Sequence, residues 1–224
     1  PGAKVLEALN YYNNEIVKIP LDTTKLLENA QRYFEKYNKQ KRTFEALSVL
    51  TEETKEDITY LESVSTALDI ALSEEDLAEI KEELIIPVNA PQIHQEKSKD
   101  QNKPLHYLSS DGYHIYVGKN NLQNDWLTFE FAVGNDWWFH AKNTPGSHVV
   151  VRTNGDELPD RTFEEADGLP LTIPGPGGEK VEIDYIEKKH VKKPKGAKPG
   201  FVVYYTNYSL IIDSDIGDLK EISD

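Results

Sequence analysis

Residues 105–153 read LHYLSSDGYHIYVGKNNLQNDWLTFEFAVGNDWWFHAKNTPGSHVVVRT, and the spacing of apolar and turn residues in this stretch decides the fold. His106–Ser109, His114–Val117, Trp137–Ala141 and His148–Thr153 are short runs rich in Val, Ile, Tyr and Phe, bounded by Gly, Asn and Asp, which is the pattern of strands. Asp111-Gly112 between the first two predicts a hairpin turn, because Gly tolerates the positive φ that tight reversals need. Downstream, Val181–Ile186 and Phe201–Asp213 continue the strand pattern. Pro159 to Ala166 predicts a helix start, cut short by Gly168-Leu169-Pro170. Residues 168–178 hold four Gly and three Pro and predict a loop. Residues 105–224 therefore predict an α+β domain with a mainly antiparallel sheet.

Upstream the periodicity changes. Leu27, Ala30, Tyr33, Phe34, Tyr37, Phe44 and Leu47 keep helical spacing between Thr24 and Leu50, and Ile58, Leu61, Val64, Leu68 and Leu72 do so between Glu53 and Leu72. Thr51 before Glu52 and Glu53 reads as a cap with an acidic first turn. Ser73-Glu74-Glu75-Asp76 opens a third, shorter helix through Leu84. These patterns predict an N-terminal antiparallel helical hairpin, coiled-coil-like, over residues 1–86. Ordinary amphipathic helices packed on a core would give the same stripe. Residues 87–104 are polar, proline-broken and aperiodic, as in a linker.

Composition narrows the function classes. The net charge is −14, so binding to a polyanion would require a local basic surface. The absence of cysteine removes disulfides, thiolate metal sites and cysteine catalysis together. With no apolar run of about 18 residues nothing spans a membrane, and Pro1-Gly2-Ala3-Lys4 carries no signal-peptide pattern. A cytoplasmic protein is expected, and the missing initiator Met suggests a piece of a longer one.

The basic surface is supplied by Lys188–Gly200, which holds six lysines in thirteen residues and no acid. Lysines spaced by Pro and Gly can follow a phosphate backbone with salt-dependent affinity, although a solvated loop would look the same. Polar and aromatic residues are densest between Asp111 and His148. Lys119 is suited to a phosphate, Asn120 and Asn121 to phosphate, sugar or base edges, and one of Trp137, Trp138 and Phe139 to a stacking platform. Each also has a structural use, tryptophan in cores and Asn or Asp in turns. Asp111, Asp125 and Asp136 leave a carboxylate pair open. Asp136, His140 and His148 invite a metal or hydrolase reading, but their spacing matches no paired-histidine motif and no nucleophile elbow, so core histidines are favoured.

The segments PLHYLSSDGYHIYVGKNNLQND, NDWWFHAKNTPGSHVVV, PDRTFEEA and VKKPKGAKPGFVVY resemble, in family order, the signature segments of the RNA-binding domain of the NFACT family. NAQRYFEKYNK and EETKEDITYLESVSTALD are similar to the middle coiled coil of the same proteins, in the fibronectin-binding protein A-like branch found in Firmicutes. The resemblance implies a part lacking the N-terminal NFACT and helix–hairpin–helix modules. It also implies a non-enzymatic role, with no cofactor, in ribosome-associated quality control. The implied partners are rRNA and tRNA on stalled large subunits, where family members direct alanine tailing of nascent chains. Carried over by motif, the implied RNA-binding positions are Asp111, Lys119, Asn120, Asn121, Asp125, Asp136, Trp138, His140, Lys142, Ser147 and His148, with Lys192, Lys193, Lys195 and Lys198. The alternative implied by the branch is a fibronectin-binding adhesin at the cell surface. The sequence departs from the family pattern after Ala166, where the family helix continues and here Asp167-Gly168 begins the Pro/Gly stretch. The linker before Leu105 is also less basic than in the family.

Overall fold

A computed structural model describes residues 3–23, 26–85, 103–169, 181–212 and 219–222 of the 224. Most of the expected linker and most of the Pro/Gly loop lie outside the described residues. The chain forms two compact units, Pro1–Asp57 and Ile58–Asp224.

The first unit begins with a hairpin that the periodicity did not announce. Strands β1 (Val5–Asn10) and β2 (Glu15–Pro20) pair antiparallel from Val5↔Pro20 to Asn10↔Glu15. Asparagine makes the turn: Asn14 adopts φ 55°, and Asn10 Oδ1 accepts from the Tyr12 N–H at 3.1 Å. Helix α1 (Leu26–Ile70) follows. The Asn29 carboxamide both accepts from Asp22 N and donates to Asp22 O at 2.9 Å, and the Tyr33 hydroxyl donates to Pro20 O at 2.7 Å.

Helix α1 is one 45-residue element, so the expected break at Thr51 does not occur. A capping residue starts a helix only where the preceding backbone leaves the helical region, and Leu26–Ile70 contains neither Gly nor Pro to force that. The hydroxyls of Ser48 and Thr54 instead donate back to the carbonyls of Phe44 and Leu50, at 2.9 and 2.7 Å, as mid-helix residues do. The hairpin turns later, at Leu72-Ser73, where the start signal of the third helix is realised. Ser73 Oγ accepts from Asp76 N at 3.1 Å, while Asp76 Oδ2 accepts from the amides of Leu72 and Ser73 at 3.0 and 3.1 Å. This reciprocal cap opens helix α2 (Glu74–Ile85). Val64 and Ala67 of α1 bury against Ile80 of α2 with Tyr60 and Ala71 alongside, an antiparallel pair.

The rest of the second unit is a seven-stranded antiparallel sheet in the order β8-β7-β5-β6-β4-β3-β9. Its strands are β3 (Leu105–Leu108), β4 (His114–Val117), β5 (Trp137–Ala141), β6 (Val149–Arg152), β7 (Val181–Glu187), β8 (Tyr208–Ile212) and β9 (Lys220–Glu221). The expected last strand is therefore shorter, since Phe201–Asn207 runs as irregular chain with one bridge, Lys192↔Val203. Gly112 takes φ +85° in the β3–β4 turn, as Asp111-Gly112 required.

Alternation along the strands divides the core in two. Ile115, Val117, Phe139, Ala141, Val149, Val151 and Ile183 face helix α4 (Asp160–Asp167), with Ala166 and Leu169. Trp138, Val150 and Ile186 face the other way, onto Leu127, Ala132 and Val191. That second layer is built by helix α3 (Asn121–Trp126), which runs into a five-residue π-helical stretch, Leu127–Phe131, neither of them foreseen. The α+β class with a helical hairpin before an antiparallel sheet is as expected.

Candidate nucleic-acid interface

The segment Gly118–Asp125 is a joint. Asn120, extended at φ −150° and ψ 174°, caps α3 by accepting from Gln123 N at 2.9 Å. Its Nδ2 donates to Glu79 of α2 at 2.7 Å, as does Gln123 Nε2. Asn121 Nδ2 donates to Ser63 of α1 at 2.7 Å and to Glu83 of α2 at 2.9 Å. Lys119 Nζ lies 2.6 Å from Asp76, and both side chains are largely buried. Burial pushes the Glu83 carboxyl and the Tyr60 hydroxyl up, the carboxylate reinforcing the effect on Tyr60. Lys119, Asn120 and Asn121 are thus brought together, but toward the acidic helix α2.

Gly118 and Gly200 let backbone approach this joint. A Cβ on Gly118 would sit 2.2 Å from Asn124 Oδ1, and one on Gly200, at φ +76°, 2.7 Å from Asn121 Oδ1. Asn124 in turn accepts from His148 N at 2.9 Å and donates to Gly146 O at 3.2 Å, which places Ser147 and His148 in the interior.

The aromatic and histidine candidates form a buried group. Trp138 is fully buried and its indole donates to Thr128 Oγ1 at 3.2 Å, so it is core and not a stacking surface. Thr128 Oγ1 also lies 2.8 Å from His148 Nδ1. The His140 ring stacks on Trp138 at 5.7 Å and meets His148 edge-on at 5.2 Å. Burial depresses the His140 pKa to about 4 against the opposing pull of Asp184, and burial together with His140 holds His148 well below the usual range. Asp184, directly across from His140 on β7, accepts from the hydroxyls of Tyr204 and Ser209 and has Lys142 at 4.0 Å. Lys142 itself pairs with Glu182 at 2.5 Å.

The three aspartates stay apart. Asp111 accepts from Thr162 at 3.0 Å, and Asp125 pairs with Lys193 at 2.5 Å. The buried Asp136 accepts from the amides of Val133 and Thr153 and faces Arg152 at 3.1 Å. Among the described residues no group of three or more acidic or histidine side chains could hold a metal ion.

The lysine segment is a surface feature. A short 3-10 turn, Lys188–His190, leads from β7 into it, and Val191 anchors it in the core. Lys193 is fixed by Asp125, and Lys198 Nζ sits 4.3 Å over the Tyr60 ring. Lys192 and Lys195 are exposed and have no ion-pair partner among the described residues. Of the fifteen candidates these two stand most open to solvent with uncommitted charge. The residues that organise the site, Asp76, Glu79, Glu83, Thr128, Asp184 and Tyr204, carry no local sequence signal of these contacts, because their partners are distant in sequence.

Comparison with known proteins fits this geometry. Residues 1–104 match the NFACT N-terminal and middle domains, and residues 103–204 match the NFACT protein RNA binding domain. The Rqc2 homologs RqcH of Streptococcus suis and Bacillus subtilis are 45% and 38% identical over 197 and 222 residues, 87% and 96% of this chain. The chain spans 36% and 38% of those relatives, a little over a third of their length. The solved C-terminal part of the fibronectin/fibrinogen-binding protein from Streptococcus suis is 45% identical, with a TM-score of 0.71 covering 86% of this chain and 76% of that one. No helix among the described residues is long and apolar enough to cross a membrane. From its signature joint, its lysine segment and these matches, the chain belongs to the NFACT family.

Proposed function

We propose that this chain holds ribosomal RNA or tRNA as the C-terminal part of a ribosome quality-control factor, acting by binding alone and without chemistry of its own. In the whole protein it would engage large subunits stalled with a nascent chain and support alanine addition to that chain. The observation that carries the reading is the exposed lysine segment on a domain matching the NFACT RNA binding domain. Lys119, Asn120 and Asn121 are committed to α2, which leaves phosphate binding to Lys188, Lys192 and Lys195. Cations at such positions act by displacing condensed counterions.

The test is a titration of tRNA and of purified large subunits across a salt series, with Lys188, Lys192 and Lys195 changed to Ala in parallel. Each lysine that neutralises a phosphate should, once replaced, flatten the log–log salt slope by roughly 0.7–0.9. A triple variant with unchanged slope and affinity would remove the lysine segment from the interface. A second reading, adhesion, is favoured by the fibronectin/fibrinogen-binding name of the Streptococcus suis relative. Saturable fibronectin binding that excess RNA does not displace would support it.

A further inference from the structure

We propose that the hydrogen-bonded pair His106 and His114, backed by Tyr116, forms a stacking platform for an unpaired RNA base, with Arg152 at its margin. The proposal rests on the RNA-binding reading and adds residues beyond the fifteen positions carried over by motif.

Strand geometry places these rings. In β3 and β4, Leu105, Tyr107, Ile115 and Val117 turn to the α4 side of the sheet, so His106, His114 and Tyr116 take the opposite face. The α3–π layer reaches Tyr116 through the edge of Phe131, at 4.6 Å, and His114 beyond it is exposed. His106 is Tyr116's direct cross-strand partner. Their rings lie 4.5 Å apart and 5° from parallel. His106 Nε2 and His114 Nδ1 are 2.8 Å apart, a bond that sets the two imidazoles side by side with planes 28° apart. Tyr116 thus lies face to face with His106, and the flat surface is the hydrogen-bonded His106–His114 pair backed by that ring, with His114 exposed; these contacts fix the rings' orientation, so little rotamer freedom remains to be lost on binding.

Flat aromatic rings on adjacent strands accept any base through its π-face. The charge around them suits a nucleic acid. Arg152 is cross-strand from His114, its guanidinium 4.8 Å from the Phe131 ring centroid and anchored on Asp136. Two residues back along the same π-helical stretch, Phe129 lies 6.0 Å beneath Lys193, so the lysine segment shares this side of the sheet. The α4 side carries Asp160, Glu164 and Glu165, which would repel phosphate.

The experiment compares a short oligoadenylate carrying a central 2-aminopurine with the same oligonucleotide abasic at that position. The proteins are wild type, His106→Ala/His114→Ala, Tyr116→Phe, and the triple lysine variant. Wild type should prefer the intact strand by about tenfold and quench 2-aminopurine fluorescence. Tyr116→Phe keeps the ring and should behave as wild type. The double histidine variant should lose preference and quenching with its salt slope unchanged, and the lysine variant the reverse. Salt-dependent binding with equal affinity for intact and abasic strands would overturn the platform alone. No RNA binding at any salt would overturn the RNA-binding reading with it. Fibronectin capture abolished in the histidine variant, without change in RNA binding, would overturn the platform in favour of a protein-binding surface.

Discussion

Asp167 offers the sharpest quantitative test of the fold's energetics. It closes α4 almost fully buried, with Glu164 one turn before it. Burial first and the Glu164 charge second raise its pKa from 3.8 to about 7, the Gly168 amide opposing. Between those two values the folded chain binds more protons than the unfolded one, so this carboxyl costs stability as pH rises through the window. The cost is about 2 kcal/mol at pH 5 and about 4 kcal/mol at pH 8. Asn keeps the shape and the oxygen that faces Gly168 but cannot ionise. Asp167→Asn should therefore stabilise the second unit by that difference, more at pH 8 than at pH 5. Urea unfolding followed by tryptophan fluorescence is selective, because Trp126, Trp137 and Trp138 all lie in that unit. A variant no more stable than wild type at pH 8, or one whose advantage does not shrink on acidification, would refute the reasoning.

His140 works with the opposite sign. Its pKa falls from 6.5 to about 4, so the unfolded chain takes the extra proton and stability is lost as pH drops through that window. His140→Gln should recover about 2 kcal/mol at pH 5 relative to pH 8, read by urea midpoints in the Asp167→Asn background. Gly118→Ala forces Asn124 away from His148 and Gly146 and should cost on the order of 1–3 kcal/mol, visible as a lowered Tm. Thr51→Pro tests the continuity of α1. An interior proline costs about 3 kcal/mol and should reduce far-UV helicity sharply, whereas a helix boundary at Thr51 would tolerate it.

Local signals in the sequence determined the elements whose cause is local. The Asp111-Gly112 turn, the strand runs around it, the helix after Pro159 and the Ser73–Asp76 cap are each set by neighbours within a few residues, and all appear where they were read. The lysine segment was legible for the same reason, since charge density needs no partner. Tertiary structure decided the rest. Thr51 looks like a cap, yet nothing adjacent breaks the helix, so propensity carried α1 through it. The β1–β2 hairpin carries no glycine turn signal, since asparagine takes the positive φ there. Lys119, Asn120 and Asn121 have the chemistry of phosphate and base recognition, but Asp76, Glu79 and Glu83 lie nearer in space than any solvent-facing ligand could. Trp138 and His114 sit on the same face of one sheet. Only the span of the α3–π layer decides that the first is buried and the second open, because coverage depends on packing between elements distant in sequence and leaves no periodicity to read.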